Sequence, residues 1–485
     1  MKALLLNPPS KHGETIIRDN LYGCFIKGKA KYFWPPMNLA QIGAVLEEEK
    51  IECYLLDAVG EELNIAQTQN RVREINPDFL IVITATSTFG HDAEFVRRIK
   101  DRNKNIKSIF CGTHVMTMPE EVLKYEGIDL IVLGEPEYVV KEIILALLNK
   151  KPLNDVRGIG FKDGNRLLFT GKAPLIEDID KLPFPARHLL PKNVNYFNPL
   201  AKRYPYTTLM SSRGCPFNCN YCVAHVVYGN KFRARSAGNV VAEIEECIKK
   251  YGTKEFFFRD ETFTINRQRV LDICQLIREK ELDISWICAS RVDTIDREMM
   301  SSMKKAGCHM IKFGVESGSQ KILNNLRKGI SVQQSRDVFR WANELKIDTV
   351  AHMMLGSPGE TRETIRETID FAKEIKPSYV SFNVTTPYPG TDLWREVQDK
   401  LNISDFSVYD IEKVSETALF NKAFCDLPKK VIEDAYDIAF REFYFRPSYI
   451  FKRLLKQSSF SEFIRSSRAG FSLLIYIIKN KLAKG

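Results

Sequence analysis

The chain lacks the features that would carry it into or across a membrane. No uninterrupted apolar stretch approaches the roughly 18 residues that a membrane span requires. Residues 3–6 form an apolar run too short for a secretory signal, and it stops at Pro8-Pro9. A disulfide framework is missing as well: the eleven cysteines are odd in number and mostly scattered. These absences point to a reducing, cytoplasmic setting. Internal repeats and low-complexity tracts do not occur. What remains is ordinary globular composition, 44% hydrophobic and 27% charged, over 485 residues, enough for about three domains.

Evenly spread positive charge is also lacking. The formal net charge is +10, yet residues 446–485 hold nine Lys or Arg against one acid, Glu462. A nucleic-acid partner is therefore not expected, and only this tail should favour an anionic surface. Its basic and apolar residues recur at helical spacing. It reads either as a peripheral contact with an anionic membrane, which suits a lipid-like substrate, or as a helical cap on the preceding domain.

Up to about residue 150, short apolar runs ("KALLLNPP", "IECYLLDA", "DFLIVITAT", "SIFCGTH", "DLIVLGEPE") alternate with helical patterns such as "NLAQIGAVLEEEK", "AEFVRRIKDR" and "PEEVLKYEG". That alternation predicts an α/β fold, a doubly wound parallel sheet with its ligands at the strands' carboxyl ends. Residues 151–200 break the pattern. "GIGFKDGNRLLFTG" predicts a hairpin turning at Asp163-Gly164 or Gly164-Asn165, and "LPFPARHLLP" reads as a linker. From about 201 to 400 a second alternation begins with "YTTLMS" and continues through "EFFFRD", "ISWICAS", "HMIKFGVE", "IDTVAHMMLG" and "SYVSFNVT". Six βα units predict a partial (β/α) barrel with its chemistry at the strands' carboxyl ends. Residues 401–485 read as helical.

Directly after the first barrel strand, "SRGCPFNCNYC" places Cys215, Cys219 and Cys222 in CxxxCxxC spacing without a fourth cysteine. Cys247 and Cys274 fall inside predicted helices, and His225 belongs to the same loop. Zinc takes four protein ligands or three plus water, and bacterial ferredoxins use a different spacing. Three thiolates on a cubane cluster leave one iron open to a small ligand. From spacing alone, a structural zinc or incidental cysteines stay open.

With Tyr221 before the last cysteine, this loop resembles the signature of the radical S-adenosylmethionine (SAM) enzymes. The resemblance extends in family order through "VYGNKFRARSAGNVVAEIEE", "FFFRDETFT", "ASRVD", "AGCHMIKFGVESGS", "LGSPGETRETI" and "TPYPGTDLW". It is to the branch carrying a cobalamin-binding domain. It implies that Cys215, Cys219 and Cys222 hold a [4Fe-4S] cluster, whose open iron the methionyl group of SAM chelates. Tyr221, Gly314, Glu316 and Ser317 would serve SAM, Glu316 through the ribose hydroxyls, unless it merely caps the next helix. Arg291 would pair with the SAM carboxylate or else sit in a surface ion pair. Gly356, Ser357 and Pro358 would face adenine, or be ordinary turn residues. Asp260 and Glu261 would receive the SAM ammonium or touch substrate, or be helix-start acids.

In the first domain "PPMNLAQIGAVLEE", "LLDA", "CGTHVMTMPEE" and "VLGEPE" resemble cobalamin-binding domains, which makes Pro9, Ser87, Thr88, Gly112, Thr113, His114, Gly134 and Glu135 candidate contacts. The fingerprint D-x-H-x-x-G does not occur. Relatives similar in lacking it hold cobalamin without a histidine ligand, so for His114 the plainer reading, a satisfied polar loop residue, is preferred over a cofactor contact. The implied chemistry is SAM cleavage by a reduced cluster to a 5′-deoxyadenosyl radical, followed by methylation of an unactivated carbon from cobalamin. A flavodoxin or ferredoxin would supply the electron to an enzyme acting on a small-molecule or lipid-like substrate. Oxidative cyclisation or carbon–carbon coupling are alternatives within the class. A further alternative is an RNA methylthiotransferase with Cys24, Cys53 and Cys111 as a second cluster site, against which Cys24 falls well after the first strand and Cys53 inside one; a non-catalytic cobalamin or cluster sensor lies outside the class.

Overall fold

A computed structural model describes residues 1–10, 16–18, 23–25, 34–401, 403, 406–409 and 418–455. Strand β1 (Lys2–Asn7) is apolar along its centre because both of its faces are covered. Ala3 and Leu5 pack with the helix Met37–Glu48, Leu4 and Leu6 with the helix Phe89–Lys100. β1 lies between β2 (Glu52–Asp57) and β3 (Phe79–Ile83), and β4 (Lys107–Cys111) and β5 (Leu130–Val132) follow. All five are parallel in the order β2-β1-β3-β4-β5, the predicted doubly wound sheet.

The predicted hairpin is β6 (Ile159–Asp163) and β7 (Arg166–Phe169). Asp163 pairs with Arg166, so the turn is Gly164-Asn165, with Gly164 at φ +59°. β6 runs antiparallel to β5, and the hairpin therefore brings the first sheet to seven strands. The proline-rich segment read as a linker is pinned to both neighbours. Gln41 Nε2 donates to Pro183 O at 2.6 Å, while buried Arg187 pairs with Glu243 at 2.5 Å and donates to Thr208 O.

The second sheet contains β8 (Tyr206–Leu209), β9 (Glu255–Phe258), β10 (Ser285–Ser290), β11 (Cys308–Glu316), β12 (Asp348–Leu355) and β13 (Tyr379–Val384). These six parallel strands stand in sequence order, and β8 does not pair with β13, so the barrel is open. Its outer helices start on side-chain caps, Ser236, Asn266, Asp296, Ser331 and Thr361, each accepting from a backbone N–H of the first turn. The helix Lys429–Tyr444 packs against the last strand, where the Tyr444 hydroxyl donates to Val380 O at 2.7 Å and accepts from Val380 N at 3.1 Å. The helix Pro447–Leu455 follows; residues 456–485, most of the basic tail, lie outside the described residues. No helix among the described residues is long and apolar enough to cross a membrane.

Candidate active site

The three-cysteine loop leaves β8 at the open end of the barrel. Asp260, just past β9, accepts from Ser211 N at 2.7 Å, Ser211 Oγ at 2.5 Å and Ser212 Oγ at 2.6 Å. Predicted to meet the SAM ammonium or substrate, this buried carboxylate is instead engaged in holding the loop, because the two serines approach it from the adjacent strand. A two-stranded ribbon, Ser212–Arg213 with Arg233–Ala234, closes the loop's base. Gly214 has φ +83°, and a Cβ there would stand 2.2 Å from Lys231 O, so only glycine fits.

Cys215 and Cys219 are buried and Cys222 is partly so. Burial raises the Cys215 and Cys222 thiols, Cys222 to about 12, and mutual repulsion among the sulfurs adds to the rise. Three thiolates this close require a cation to coexist, which is what an iron–sulfur cluster provides. Among the described residues no three His, Cys, Asp or Glu are set to hold a single metal ion. A cubane, taking one thiolate on each of three irons, needs a wider spacing. The donor set fits a cluster.

Arg291 is buried beside these thiols. It stacks over the Phe217 ring at 3.7 Å, donates Nη1 to Cys219 Sγ at 3.5 Å and Nη2 to Lys328 O at 2.7 Å, and forks onto Asp293 at 2.9 and 2.8 Å. It is therefore no surface ion pair. Glu316 ends β11 at φ +63°, in the left-handed region, where the register with β12 shifts. Its Oε1 accepts from Tyr221 Oη at 2.9 Å and from Lys328 Nζ at 2.7 Å. Burial opposes the Lys328 charge, but the Glu316 carboxylate outweighs it and the ammonium is held above its usual range. A Cβ on Gly314 would stand 2.4 Å from Glu316 Oε1 and 2.7 Å from Lys328 Nζ, so that glycine makes room for the pair.

The other candidates on this side are turn-formers. Ser317 Oγ bonds Thr368 Oγ1 at 2.8 Å, and Ser319, not Glu316, stands at the N-cap position of the following helix, without a side-chain capping bond. Gly356, at φ +73°, receives Asn421 Nδ2 on its carbonyl at 2.6 Å. Ser357 N donates to Glu360 Oε2 at 2.8 Å, and Pro358 O accepts from Asn325 Nδ2 at 2.8 Å. Glu261 Oε1 accepts from Gly214 N at 3.2 Å, while its solvent-shielded Oε2 has no hydrogen-bond partner among the described residues. Burial pushes this carboxyl up to about 8. An orphaned acceptor beside the cluster loop fits the ammonium of SAM.

In the first domain the candidates divide into two groups. Pro9, Ser87, Thr88, Gly112 and Thr113 lie at the carboxyl ends of β1, β3 and β4, where doubly wound sheets bind ligands. Gly112, at φ +116°, would place a Cβ 2.1 Å from Thr84 O, and the buried Ser87 hydroxyl lacks a hydrogen-bond partner among the described residues, as a cofactor contact would. Pro9 O accepts from His91 Nε2 at 2.8 Å. His114 is fully buried against Phe89 at 4.5 Å, and burial depresses its pKa to about 3. Gly134 and Glu135 serve contacts within the chain. A Cβ on Gly134 would meet Ala173 Cβ at 2.7 Å. Glu135 pairs with Arg213 and Arg233, each at 2.5 Å, and Glu137 with Arg213 at 2.6 Å, all four side chains buried. This ion cluster ties the first domain to the base of the cysteine loop.

Cys53 lies in β2 and Cys111 in β4, with β1 and β3 between them. At about 4.8 Å per strand they are too far apart to share a second cluster. Sequence reasoning assigned no role to Arg213, Arg233, Glu137, Lys328, Asn421 or Phe217. Arg213 and Phe217 stood inside the quoted cysteine motif, which was the available signal; Lys328 and Asn421 had none.

The sequence model of the Radical SAM superfamily matches residues 209–372, and that of the B12 binding domain residues 23–144. An uncharacterized methyltransferase of Pyrococcus horikoshii is 35% identical over 396 residues, 81% of this chain and 82% of that one. The anaerobic magnesium-protoporphyrin IX monomethyl ester cyclase of Cereibacter sphaeroides is 28% identical over 386 residues, 78% of this chain and 62% of that one. Among solved structures, the radical S-adenosylmethionine methyltransferase TsrM from Kitasatospora setae, with tryptophan substrate and a SAM analog bound, shares the fold. Its TM-score is 0.67 at 19% identity, over 77% of this chain and 75% of that one. This chain belongs to the cobalamin-dependent branch of the radical SAM superfamily, an enzyme family with methyltransferases among its members, whose cofactors are a [4Fe-4S] cluster, SAM and cobalamin.

Proposed function

We propose that this enzyme transfers a methyl group to an unactivated carbon of a small organic substrate. The observation that carries the reading is the buried Arg213–Glu135–Arg233–Glu137 cluster, which joins the B12 binding domain to the cysteine loop. Two cofactors that must act on one substrate need such a joint. When bound, the cluster supplies the electron that splits SAM into methionine and a 5′-deoxyadenosyl radical, and cobalamin supplies the methyl group.

The chain's own residues bind, orient and exclude water. Cys215, Cys219 and Cys222 would ligate the cluster, with Arg291 donating to Cys219. Glu261 would take the SAM ammonium, and Glu316, held between Tyr221 and Lys328, keeps a second oxygen for a ribose hydroxyl. The barrel's lumen would shield the radical chemistry from solvent. Oxidative cyclisation is the second reading, favoured by the 28% identity to a cyclase.

Anaerobic purification with cobalamin supplied, followed by iron and cobalt counts, tests the proposal. About four irons and one cobalt per chain are expected, with methylated product and 5′-deoxyadenosine forming together. A cobalt-free enzyme that cleaves SAM would turn the assignment to cyclisation or coupling.

A further inference from the structure

The three cysteine sulfurs are not served alike. The Phe217 backbone N–H serves Cys215, and Ala224 N donates to Cys222 Sγ at 3.5 Å, each from two residues further along the loop. Cys219 takes a side chain instead, Nη1 of Arg291, at 3.5 Å. Arg291 stands directly after β10, 72 residues along the chain, and brings a full positive charge to that sulfur. It is 4% exposed and Cys219 is 9% exposed, so solvent screens the contact little.

The guanidinium is held from several sides. Nε and Nη2 fork onto Asp293 at 2.9 and 2.8 Å, Nη2 also reaches Lys328 O at 2.7 Å, and Cζ lies 3.7 Å from the centroid of the Phe217 ring. Four of its five N–H groups are thereby engaged: the one on Nε, both on Nη2 and one on Nη1. The one that remains is too few for a two-point grip on the SAM carboxylate, the role that the family resemblance implied. The side chain is instead committed to a thiol of the cysteine loop.

Resting on the proposed ligation of the cluster by the three cysteines, we infer that Arg291 is a positioning residue for electron entry: acting through Cys219, it raises the cluster's reduction potential, and Asp293 limits the rise. Hydrogen bonds to the sulfurs and the net charge nearby are what set such a potential. An added electron puts further negative charge on the thiolates, so a charged N–H already aimed at one of them binds more strongly after the electron arrives. The Asp293 carboxylate repels the same electron. That electron comes from an external one-electron donor, a reduced flavin or iron–sulfur protein, and lowers the cluster's charge by one unit; no bond of the chain forms or breaks and no proton moves.

A mediated redox titration of the full-length, cluster-reconstituted chain, without SAM or cobalamin and read by electron paramagnetic resonance of the reduced cluster, tests this. Arg291→Met should lower the equilibrium constant for reduction about tenfold, a midpoint shift of about 59 mV to more negative potential. Asp293→Asn removes the carboxylate's charge, leaves the guanidinium on Cys219 and should shift the midpoint the other way. Loosened packing would not give opposite signs. Arg291→Lys restores the charge without the fork and should recover part of the shift. Iron counts show which variants keep the cluster, and Asp293→Asn with Arg291→Lys decides if Arg291→Met does not. A change under about threefold in Arg291→Met, or shifts of the same sign in Arg291→Met and Asp293→Asn, would overturn the inference. So would weakened SAM binding at an unchanged potential, which would return the guanidinium to the SAM carboxylate. A native chain that fails to hold about four irons refutes the ligation itself, whereas a native cluster with no shift in the variants refutes only the tuning.

Discussion

Replacing Lys328 by methionine should be among the most damaging single changes near the active site. The Lys328 and Glu316 side chains are 7% and 8% exposed, and Nζ lies 2.7 Å from Oε1. At an effective dielectric constant of about 20, two unit charges at that distance attract by about 6 kcal/mol. Desolvation offsets part of this, and losing one partner of a buried pair typically costs about 3–5 kcal/mol, because the other charge stays buried alone. Lys328→Met should therefore destabilise the barrel by about 3 kcal/mol at neutral pH. Glu316→Gln strands the ammonium and should cost a similar amount. The double variant leaves no isolated charge and should recover most of the loss. Urea unfolding followed by fluorescence measures each corner of the cycle, since Trp286 is fully buried in the barrel core. A coupling energy under about 0.5 kcal/mol would mean that the two charges act independently, and the argument from their burial would fail.

Three further outcomes are expected. Cys219→Ala should lose the cluster's visible absorbance and all SAM cleavage; retained cleavage would refute its role. Burial raises the Glu360 carboxyl from 4.5 to about 7, so the folded chain keeps a proton that the unfolded chain releases between those values. Stability should therefore fall as pH rises from about 4.5 to 7, by about 3 kcal/mol from this group, and Glu360→Gln should flatten that slope in unfolding measurements across the window. Arg213→Met leaves Glu137 without its guanidinium partner and should loosen the first domain from the barrel by about 3 kcal/mol; calorimetry should then separate their melting, and an unshifted single transition would contradict this.

The strands were legible because their apolar runs are short, bounded by Gly, Pro or Asp, and buried on both faces, as in residues 2–7. The hairpin turn was narrowed to two choices, which the pairing of Asp163 with Arg166 resolves. The cysteine spacing was legible because local sequence dictates it. Side-chain destinations were harder to read. Asp260 and Glu261 are adjacent acids, yet one accepts from two serines 48 and 49 residues away and the other keeps an oxygen that no described residue bonds. Nothing local distinguishes them, since the difference arises from strand pairing. Lys328 and Glu135 found their partners in the same long-range way, so the pattern shows only that they are charged.

The openness of the barrel leaves two sheet borders whose peptide groups could pair with another chain. The Tyr444 hydroxyl, placed on both the N–H and the C=O of Val380, acts there as a one-residue substitute for a seventh strand. Arg187 caps the carbonyl of Thr208 at the other border. The contacts that dock the carboxyl-terminal helix and the interdomain segment thus also guard against self-association. A Tyr444→Phe chain would keep its ring packing and lose that guard, and light scattering on warming would show whether one hydroxyl keeps copies of this enzyme apart.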